Sequence, residues 1–73
     1  MSVQAYILVQ TEVGKSDEVA QAINAISGVM NAEHVTGPYD VIVRAEAKSI
    51  DDLAKIVLTN IQKVSGITRT LTC

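Results

Sequence analysis

The chain begins with a stretch in which side chains alternate in character with a period of two. One set of residues 2–11 is Val3, Ala5, Ile7 and Val9, and the other set is Gln4, Tyr6, Leu8 and Gln10. This alternation and the many β-branched residues predict a strand. From Ser16 the period changes to that of a helix, because the next apolar residues recur at i, i+3, i+4 and i+7, namely Val19, Ala22, Ile23 and Ile26. Gly28 ends this helix, since glycine readily adopts a left-handed conformation.

The second half of the chain repeats this order. Two extended stretches, residues 29–36 and 39–47, are separated by Gly37 and Pro38, which predict a turn. Ser49 then begins a second helix, where its hydroxyl can cap the N–H of Asp52. The predicted apolar face of this helix is Ile50, Leu53, Ile56, Val57, Ile61 and Val64. Gly66 ends the helix, and residues 67–73 form a fourth strand.

An internal repeat fixes the predicted topology. The segments 26–29 (Ile-Ser-Gly-Val) and 64–67 (Val-Ser-Gly-Ile) have nearly the same sequence, and each lies where a helix gives way to a strand. Strand–helix–strand written twice gives βαββαβ, the order of the ferredoxin-like α+β fold. Right-handed crossovers place both helices on one face of a four-stranded antiparallel sheet and leave the other face open.

The open sheet face is predicted to be an oligomer interface. It is expected to carry Tyr6, Leu8, Ile42 and Arg44, with the tyrosine, leucine and isoleucine at its centre. If Ile67 and Leu71 point toward the helices, the threonines at 68, 70 and 72 join the open face. The second strand remains ambiguous, because neither of its alternating sets is clearly apolar. Such a face is too apolar for open water, so an interface is favoured over a solvated surface.

Length and composition support self-association. The chain has 73 residues, of which 48% are hydrophobic, so residues 1–73 form one small domain. A domain of this size is marginal on its own and usually needs a disulfide, a metal or another subunit. One cysteine, Cys73, and one histidine, His34, provide neither an internal disulfide nor a metal site, so we expect no metal and no cofactor.

Charge and hydropathy narrow the partners. Six basic residues against eight acidic ones give a net charge of −2, which argues against direct binding to nucleic acid. The longest apolar run is residues 5–9, far short of a membrane span, and the N-terminus lacks the pattern of a secretion signal. We therefore expect no membrane association and a cytoplasmic location.

Most candidate catalytic or phosphate-binding features have simpler explanations. Gly14-Lys15-Ser16 lacks the first glycine of a phosphate-binding loop, which would fall at Val9. His34 is predicted to be structural or at the rim, and Cys73 to be incidental. The pair Asp51-Asp52 is explained by the helix dipole at the start of the second helix.

The turn Thr36-Gly37-Pro38-Tyr39-Asp40 is the main candidate site. Turn chemistry alone explains its glycine, proline and aspartate. The same residues also suit a small zwitterion: the N–H groups of Gly37 and Tyr39 can bind a carboxylate, Asp40 can pair with an ammonium group, and Tyr39 offers a flat apolar wall.

This segment also carries a family resemblance. Val35-Thr36-Gly37-Pro38-Tyr39-Asp40-Val41, Ser49-Ile50-Asp51-Asp52-Leu53 and the closing Gly66-Ile67-x-x-Thr70-x-Thr72 resemble the effector-binding domain of the Lrp/AsnC regulators, also called the RAM domain. The resemblance covers essentially the whole chain. Because no helix-turn-helix precedes it, we expect a stand-alone version without direct DNA binding.

The resemblance implies a ferredoxin-like fold that dimerises by stacking sheets into a barrel-like α/β assembly and associates further. It also implies a small effector, usually an amino acid, bound in clefts between subunits. By position, Gly37, Pro38, Tyr39 and Asp40 would line the cleft, and Thr68 and Thr70 would reach the ligand. Full-length regulators of the family are candidate partners for co-assembly.

Three classes of function follow. The first is a non-enzymatic effector-binding and oligomerisation module linked to transcription regulation; an ACT-type amino-acid-binding domain would have nearly the same role. The second is a small dimeric enzyme of monooxygenase or isomerase type, for which only His34 and Tyr39 are available. The third is an oligomerisation module whose turn binds nothing.

Overall fold

Six regular elements follow the predicted order. The computed structural model describes residues 2–72; Cys73, taken from the sequence as incidental, lies outside them. The strands are β1 (Val3–Thr11), β2 (Val29–His34), β3 (Val41–Ala47) and β4 (Ile67–Thr72). Helix α1 is Ser16–Asn24, and helix α2 runs over residues 50–62 as α-helical Ile50–Asp52, π-helical Leu53–Leu58 and α-helical Thr59–Gln62. The βαββαβ prediction is confirmed.

The four strands form one antiparallel sheet in the order β2-β3-β1-β4. The central pair β1 and β3 is in continuous register from Val3 opposite Ala47 to Val9 opposite Val41. Alternate residues of this pair are buried, among them Ile7 and Val43, because the two helices cover their side of the sheet. The intervening residues of each strand form the open face of the sheet.

The core lies entirely between this sheet and the helices. Its largest fully buried side chains are aliphatic and come from both layers: Ile7, Val9, Val19, Ile23, Val41, Val43, Val57 and Ile61. On α1 the buried face differs from the prediction by one residue, since Ala20 is buried and Ala22 is exposed. The helix is therefore rotated slightly, and Val19, Ala20 and Ile23 face the sheet.

The apolar face of α2 is narrower than its 3.6-residue period predicts. Leu53, Val57 and Ile61 are buried at a spacing of four residues, whereas Ile50 and Ile56 are exposed. A π-helical turn takes more residues than an α-helical turn, so it keeps a four-residue spacing on one side. The π-helical stretch Leu53–Leu58 thus aligns the three buried residues and turns Ile56 away from the core.

The two halves of the chain repeat in their contacts as well as in their sequence. Gly28 O accepts a hydrogen bond from Glu46 N, and Gly66 O accepts one from Glu12 N, both at 2.8 Å. Each glycine also lies under a valine of the opposite helix. A Cβ on Gly28 would lie 2.8 Å from Val57 Cγ2, and one on Gly66 would lie 3.2 Å from Val19 Cγ2. These close approaches explain why glycine occupies both positions of the repeat.

Asn24 ties the end of α1 to the outer strand of the sheet. Its Nδ2 donates to Ala32 O and its Oδ1 accepts from Ala32 N, both at 3.0 Å. Because β2 is an edge strand, these two backbone groups would otherwise face solvent. The carboxamide therefore takes the place of a neighbouring strand at the middle of β2.

Gly28→Ala is expected to destabilise the protein more than Gly14→Ala. Gly28 combines a positive φ with the 2.8 Å approach to Val57, whereas Gly14 has a φ of +79° and open space around it. A left-handed alanine costs about 1–2 kcal/mol, and overpacking adds about 1–3 kcal/mol. Chemical denaturation at one protein concentration measures both variants. Equal losses of unfolding free energy would contradict the role assigned to the Val57 contact.

Candidate functional site

The turn at residues 36–40 is fastened to the end of β1. Asp40 N donates to Val9 O at 2.9 Å, and Asp40 O accepts from Val35 N at 2.8 Å. The Asp40 carboxylate accepts from Thr11 N at 2.8 Å through Oδ2. From β1, Gln10 Nε2 donates to Pro38 O at 3.0 Å. Asp40 thus has a structural role, and its donor is Thr11 of β1 rather than a neighbouring residue of the turn. It retains lone pairs for a second donor because an ionised carboxylate has about four.

The tip of the turn is exposed to solvent. Gly37 has a φ of +151°, and apart from its two chain neighbours no described heavy atom lies within 4 Å of the position that a Cβ would take. Within residues 2–72, neither Gly37 N nor Tyr39 N has a protein acceptor. The turn therefore offers free donors next to a half-buried Tyr39 ring.

The fourth strand reaches the same end of β1 from the other side. Thr68 Oγ1 donates to Gln10 O at 3.1 Å, and Thr70 pairs with Val9. The predicted ligand-binding residues belong to two segments that flank residues 9–11 of β1, and these residues are Gly37, Pro38, Tyr39, Asp40, Thr68 and Thr70. The structure brings them to one end of the sheet, on the two sides of β1.

A β-bulge at Thr68 reverses the predicted orientation of the residues that follow it. Ile67 pairs with Thr11, but Arg69 pairs with Gln10, so one extra residue is inserted on β4. One inserted residue moves every later side chain to the opposite face. Leu71 consequently lies on the open face beside Leu8, and Thr70 and Thr72 lie on the helix side, so the expectation for these three residues is wrong.

The open face has an apolar centre and a charged rim. Tyr6 is 54%, Ile42 37% and Leu71 48% exposed, and half-buried Leu8 lies between Ile42 and Leu71 in register. Arg44 lies opposite Tyr6, as predicted for this face. The ambiguity of β2 is resolved, because Ala32 is buried on the helix side while Asn31 and Glu33 lie on the open face.

Two grooves accompany these features. One, of about 190 Å³, lies on the open face and is lined by Tyr6, Asn31, Glu33, Ile42 and Arg44. The other, of about 250 Å³, follows β4 and is lined by Gln62, Ile67, Thr68, Arg69 and Thr70. Both are open to solvent in one copy of the chain, so neither encloses a ligand without a further surface.

The remaining candidate residues have local roles. His34 Nδ1 lies 3.7 Å from Asp17 Oδ1 of α1, and both side chains are more than half exposed. Asp52 N donates to Ser49 Oγ at 3.1 Å, which confirms the predicted cap of α2. Within residues 2–72 no group of three histidine, cysteine, aspartate or glutamate side chains is placed to hold a metal ion.

The described part of the chain contains no helix that is long and apolar enough to cross a membrane.

Sequence reasoning missed two site residues. Gln10 was assigned only to a strand, yet it contacts both the turn and β4. Arg69 lines the β4 groove, and its place next to Gln10 depends on the bulge. A polar residue at the end of a central strand was the only available signal for Gln10, and nothing in the sequence marks the bulge.

A four-stranded sheet with both helices on one face defines a ferredoxin-like α+β domain. The family model for the Lrp/AsnC ligand binding domain matches residues 4–73, and the chain belongs to this family. The resemblance carried by the Thr-Gly-Pro-Tyr-Asp turn is thereby confirmed.

Several known proteins are similar to this chain in sequence or in structure. An uncharacterized helix-turn-helix transcriptional regulator of Pyrococcus furiosus is 31% identical over 75% of this chain and 37% of its own length. A hypothetical protein of Pyrococcus horikoshii has a TM-score of 0.88 and 36% identity, covering 100% of this chain and 87% of its own. A transcriptional regulator of Neisseria meningitidis, solved as a complex with L-Met, has a TM-score of 0.79 at 19% identity, covering 96% of this chain and 47% of its own.

The chain spans only part of the curated relatives it matches. It covers 12% of a homocitrate synthase and 37% of each of two helix-turn-helix regulators. The shared part is therefore one domain that occurs within longer proteins of different kinds.

Asp40→Ala is expected to lower the free energy of unfolding by about 1–2 kcal/mol, because it leaves the partly buried Thr11 N–H without its acceptor. Asp40→Asn should cost less, since its carboxamide oxygen can accept the same hydrogen bond. Denaturation curves give the energies, and amide exchange at Thr11 reports the bond directly. Unchanged protection of Thr11 in the alanine variant would contradict this role.

Proposed function

We propose that this chain is a non-enzymatic module that binds an amino-acid effector between its own copies and acts in transcription regulation in the cytoplasm. The observation that carries the proposal is that the 36–40 turn, Thr68 and Thr70 all contact or pair with residues 9–11 of β1. Membership of a ligand-binding family and the regulators among its relatives support the same role.

The chemistry of the turn suits the two charges of an amino acid. The unsatisfied N–H groups of Gly37 and Tyr39 are hydrogen-bond donors for a carboxylate. Asp40 is held in place by Thr11 N and keeps lone pairs for an ammonium group. A pre-positioned carboxylate loses little freedom on binding, which favours affinity. The L-Met complex of the Neisseria regulator, a protein of the same fold, supports an amino acid as the ligand class.

Self-association through the open face completes the proposal. Its apolar centre of Tyr6, Leu8, Ile42 and Leu71 is continuous across three strands. The rim carries two acidic and two basic side chains: Glu33, Glu46, Arg44 and Arg69. Two copies can therefore meet without a net charge barrier, and burying the centre adds the apolar contact that a chain of this size lacks. The same surface would allow co-assembly with full-length regulators of the family.

The enzyme alternative has no comparable support. His34 contacts Asp17 on the helix side, and Tyr39 lies in the turn. Neither lines the β4 groove or the groove of the open face. The third class, an oligomerisation module that binds no ligand, is distinguished from the proposed function by the calorimetry experiment.

Tyr6→Glu is expected to convert the oligomer to monomers at micromolar concentration, measured by light scattering after size exclusion. A glutamate there faces Arg44 within one copy, so the isolated fold tolerates it, but stacking two sheets would desolvate the new charge. Val13→Glu is the matched control, because Val13 is fully exposed in the loop between β1 and α1. A monomeric wild-type protein, or an oligomeric Tyr6→Glu, would refute the interface.

Calorimetry with the twenty proteinogenic L-amino acids tests the ligand. At least one should bind, and Asp40→Asn should weaken it about 10- to 100-fold, since a charge-assisted bond to the ammonium group is lost. Asp51→Asn removes an exposed carboxylate from the first turn of α2 and should leave affinity unchanged. An oligomer that binds none of the twenty would instead be the structural module.

A further inference from the structure

The open face carries two positive and two negative side chains that form no ion pair within one copy. Arg44 and Glu46 lie on the inner strand β3, whereas Glu33 and Arg69 lie on the outer strands β2 and β4. Each ion pair among residues 2–72 involves an acidic side chain of α1, and none involves a residue of the open face. These four charges therefore find no partner of opposite sign in their own copy.

Glu33 and Arg69 lie at opposite edges of the open face, toward the same end of the sheet. Glu33 is in register with Ile42, Ile42 with Leu8, and Leu8 with Leu71, so this row crosses all four strands. Arg69 lies on β4 two residues before Leu71. Three strand spacings of about 4.8 Å, or about 14 Å in all, separate the two outer strands. The two charges are thus too far apart to pair within one sheet.

The bulge at Thr68 places Arg69 on the open face. Ile67 lies on the helix side, and strict alternation would return the side chain of Arg69 to that side. The inserted residue instead directs both Arg69 and Leu71 to the open face. Thr68 Oγ1 donates to the backbone oxygen of Gln10 at 3.1 Å at this bulge. Bulges re-aim side chains, and this one adds a positive charge and an apolar side chain to the same face.

The carboxylate of Glu33 is oriented at the other edge of the face. Asn31 Nδ2 donates to Glu33 Oε1 at 2.8 Å, and both residues lie on the open side of β2. The side chain is exposed, and within residues 2–72 its second oxygen has no donor. Because an ionised carboxylate accepts about four hydrogen bonds, a guanidinium can bind Glu33 without displacing Asn31.

The symmetry of a stacked pair determines which of these charges meet. Two copies that use the same surface are related by a twofold axis. An axis parallel to the strands and between β1 and β3 places β2 of one copy over β4 of the other, so Glu33 faces the edge that carries Arg69. An axis perpendicular to the strands places each outer strand over its own counterpart, so that like charges meet. Packed sheets stay within about 30° of alignment, which keeps the edges together.

We propose that two copies stack their open faces about an axis parallel to the strands, and that Arg69 of each copy forms an ion pair with Glu33 of the other. This inference rests on the proposed self-association, and it adds the orientation and the residues that select a second copy of this chain. The pair forms twice in each dimer, once at each edge of the apolar centre. A chain that carries a like charge at either position is disfavoured as a partner.

Charge reversal at the two positions tests the pair. Arg69→Glu brings two carboxylates together at each edge, and Glu33→Arg brings two guanidinium groups together. Each variant alone should therefore dimerise about 10- to 100-fold more weakly than the wild type in sedimentation equilibrium. A variant that carries both changes should regain the wild-type dissociation constant, because each edge again joins opposite charges.

An equimolar mixture of the two single variants provides the sharper readout. All four charges of the mixed dimer are matched, so the heterodimer should exceed its statistical share in native mass spectrometry, which separates the three dimers by mass. The control pair reverses exposed charges on the helices, with Lys55→Glu on α2 and Glu18→Arg on α1. Its mixture should give the three dimers in statistical proportions.

The possible failures separate this inference from the proposed self-association. A statistical mixture of Arg69→Glu with Glu33→Arg overturns the ion pair, while a dimer that Tyr6→Glu dissociates leaves the interface standing. A heterodimer excess for Glu33→Arg with Arg44→Glu, and none with Arg69→Glu, also overturns it, because Glu33 then pairs with the inner strand. A wild-type protein that is monomeric at micromolar concentration overturns both the ion pair and the interface.

Discussion

The fold depends on aliphatic contacts between two helices and one side of a four-stranded sheet. A chain of this length provides two crossover helices, and both lie on the same side because the crossovers have the same hand. The buried residues of β1 and β3 and those of α1 and α2 form a single layer of core. Within residues 2–72, the other side of the sheet is therefore left without a covering layer, and its side chains remain exposed or half-buried.

The same constraint explains the two close glycines. Helices that share one sheet face must pass near the point where the opposite helix ends. Gly28 under Val57 and Gly66 under Val19 are the two places where this happens, and they are related by the internal repeat. Because both positions are glycine and carry no Cβ, the two helices can approach the sheet closely enough to bury Val57 and Val19.

Much of this architecture could be predicted from the sequence, because period-two and helical patterns report directly on burial. The repeat at 26–29 and 64–67 predicted the order of strands and helices. The turn at 36–40 was the most specific element of the family resemblance. Prediction failed where the backbone departs from ideal geometry. The bulge at Thr68 reversed Leu71 and Thr70, and the π-helical stretch exposed Ile56, since neither irregularity has a signature in residue type. The link from Gln10 to the turn was also invisible, because it joins residues 28 positions apart in the chain.

The carboxamide of Asn24 makes the two outer strands unequal. On β2 the N–H and C=O of Ala32 are occupied by a side chain of the same molecule. A strand added from another molecule at β2 would first have to break these two hydrogen bonds. Within the described residues, no side chain occupies the outward N–H and C=O groups of β4 in this way. Strand addition to this sheet is therefore directional. A peptide or a misfolded copy of the chain would pair with the accessible edge at β4 rather than with the occupied edge at β2.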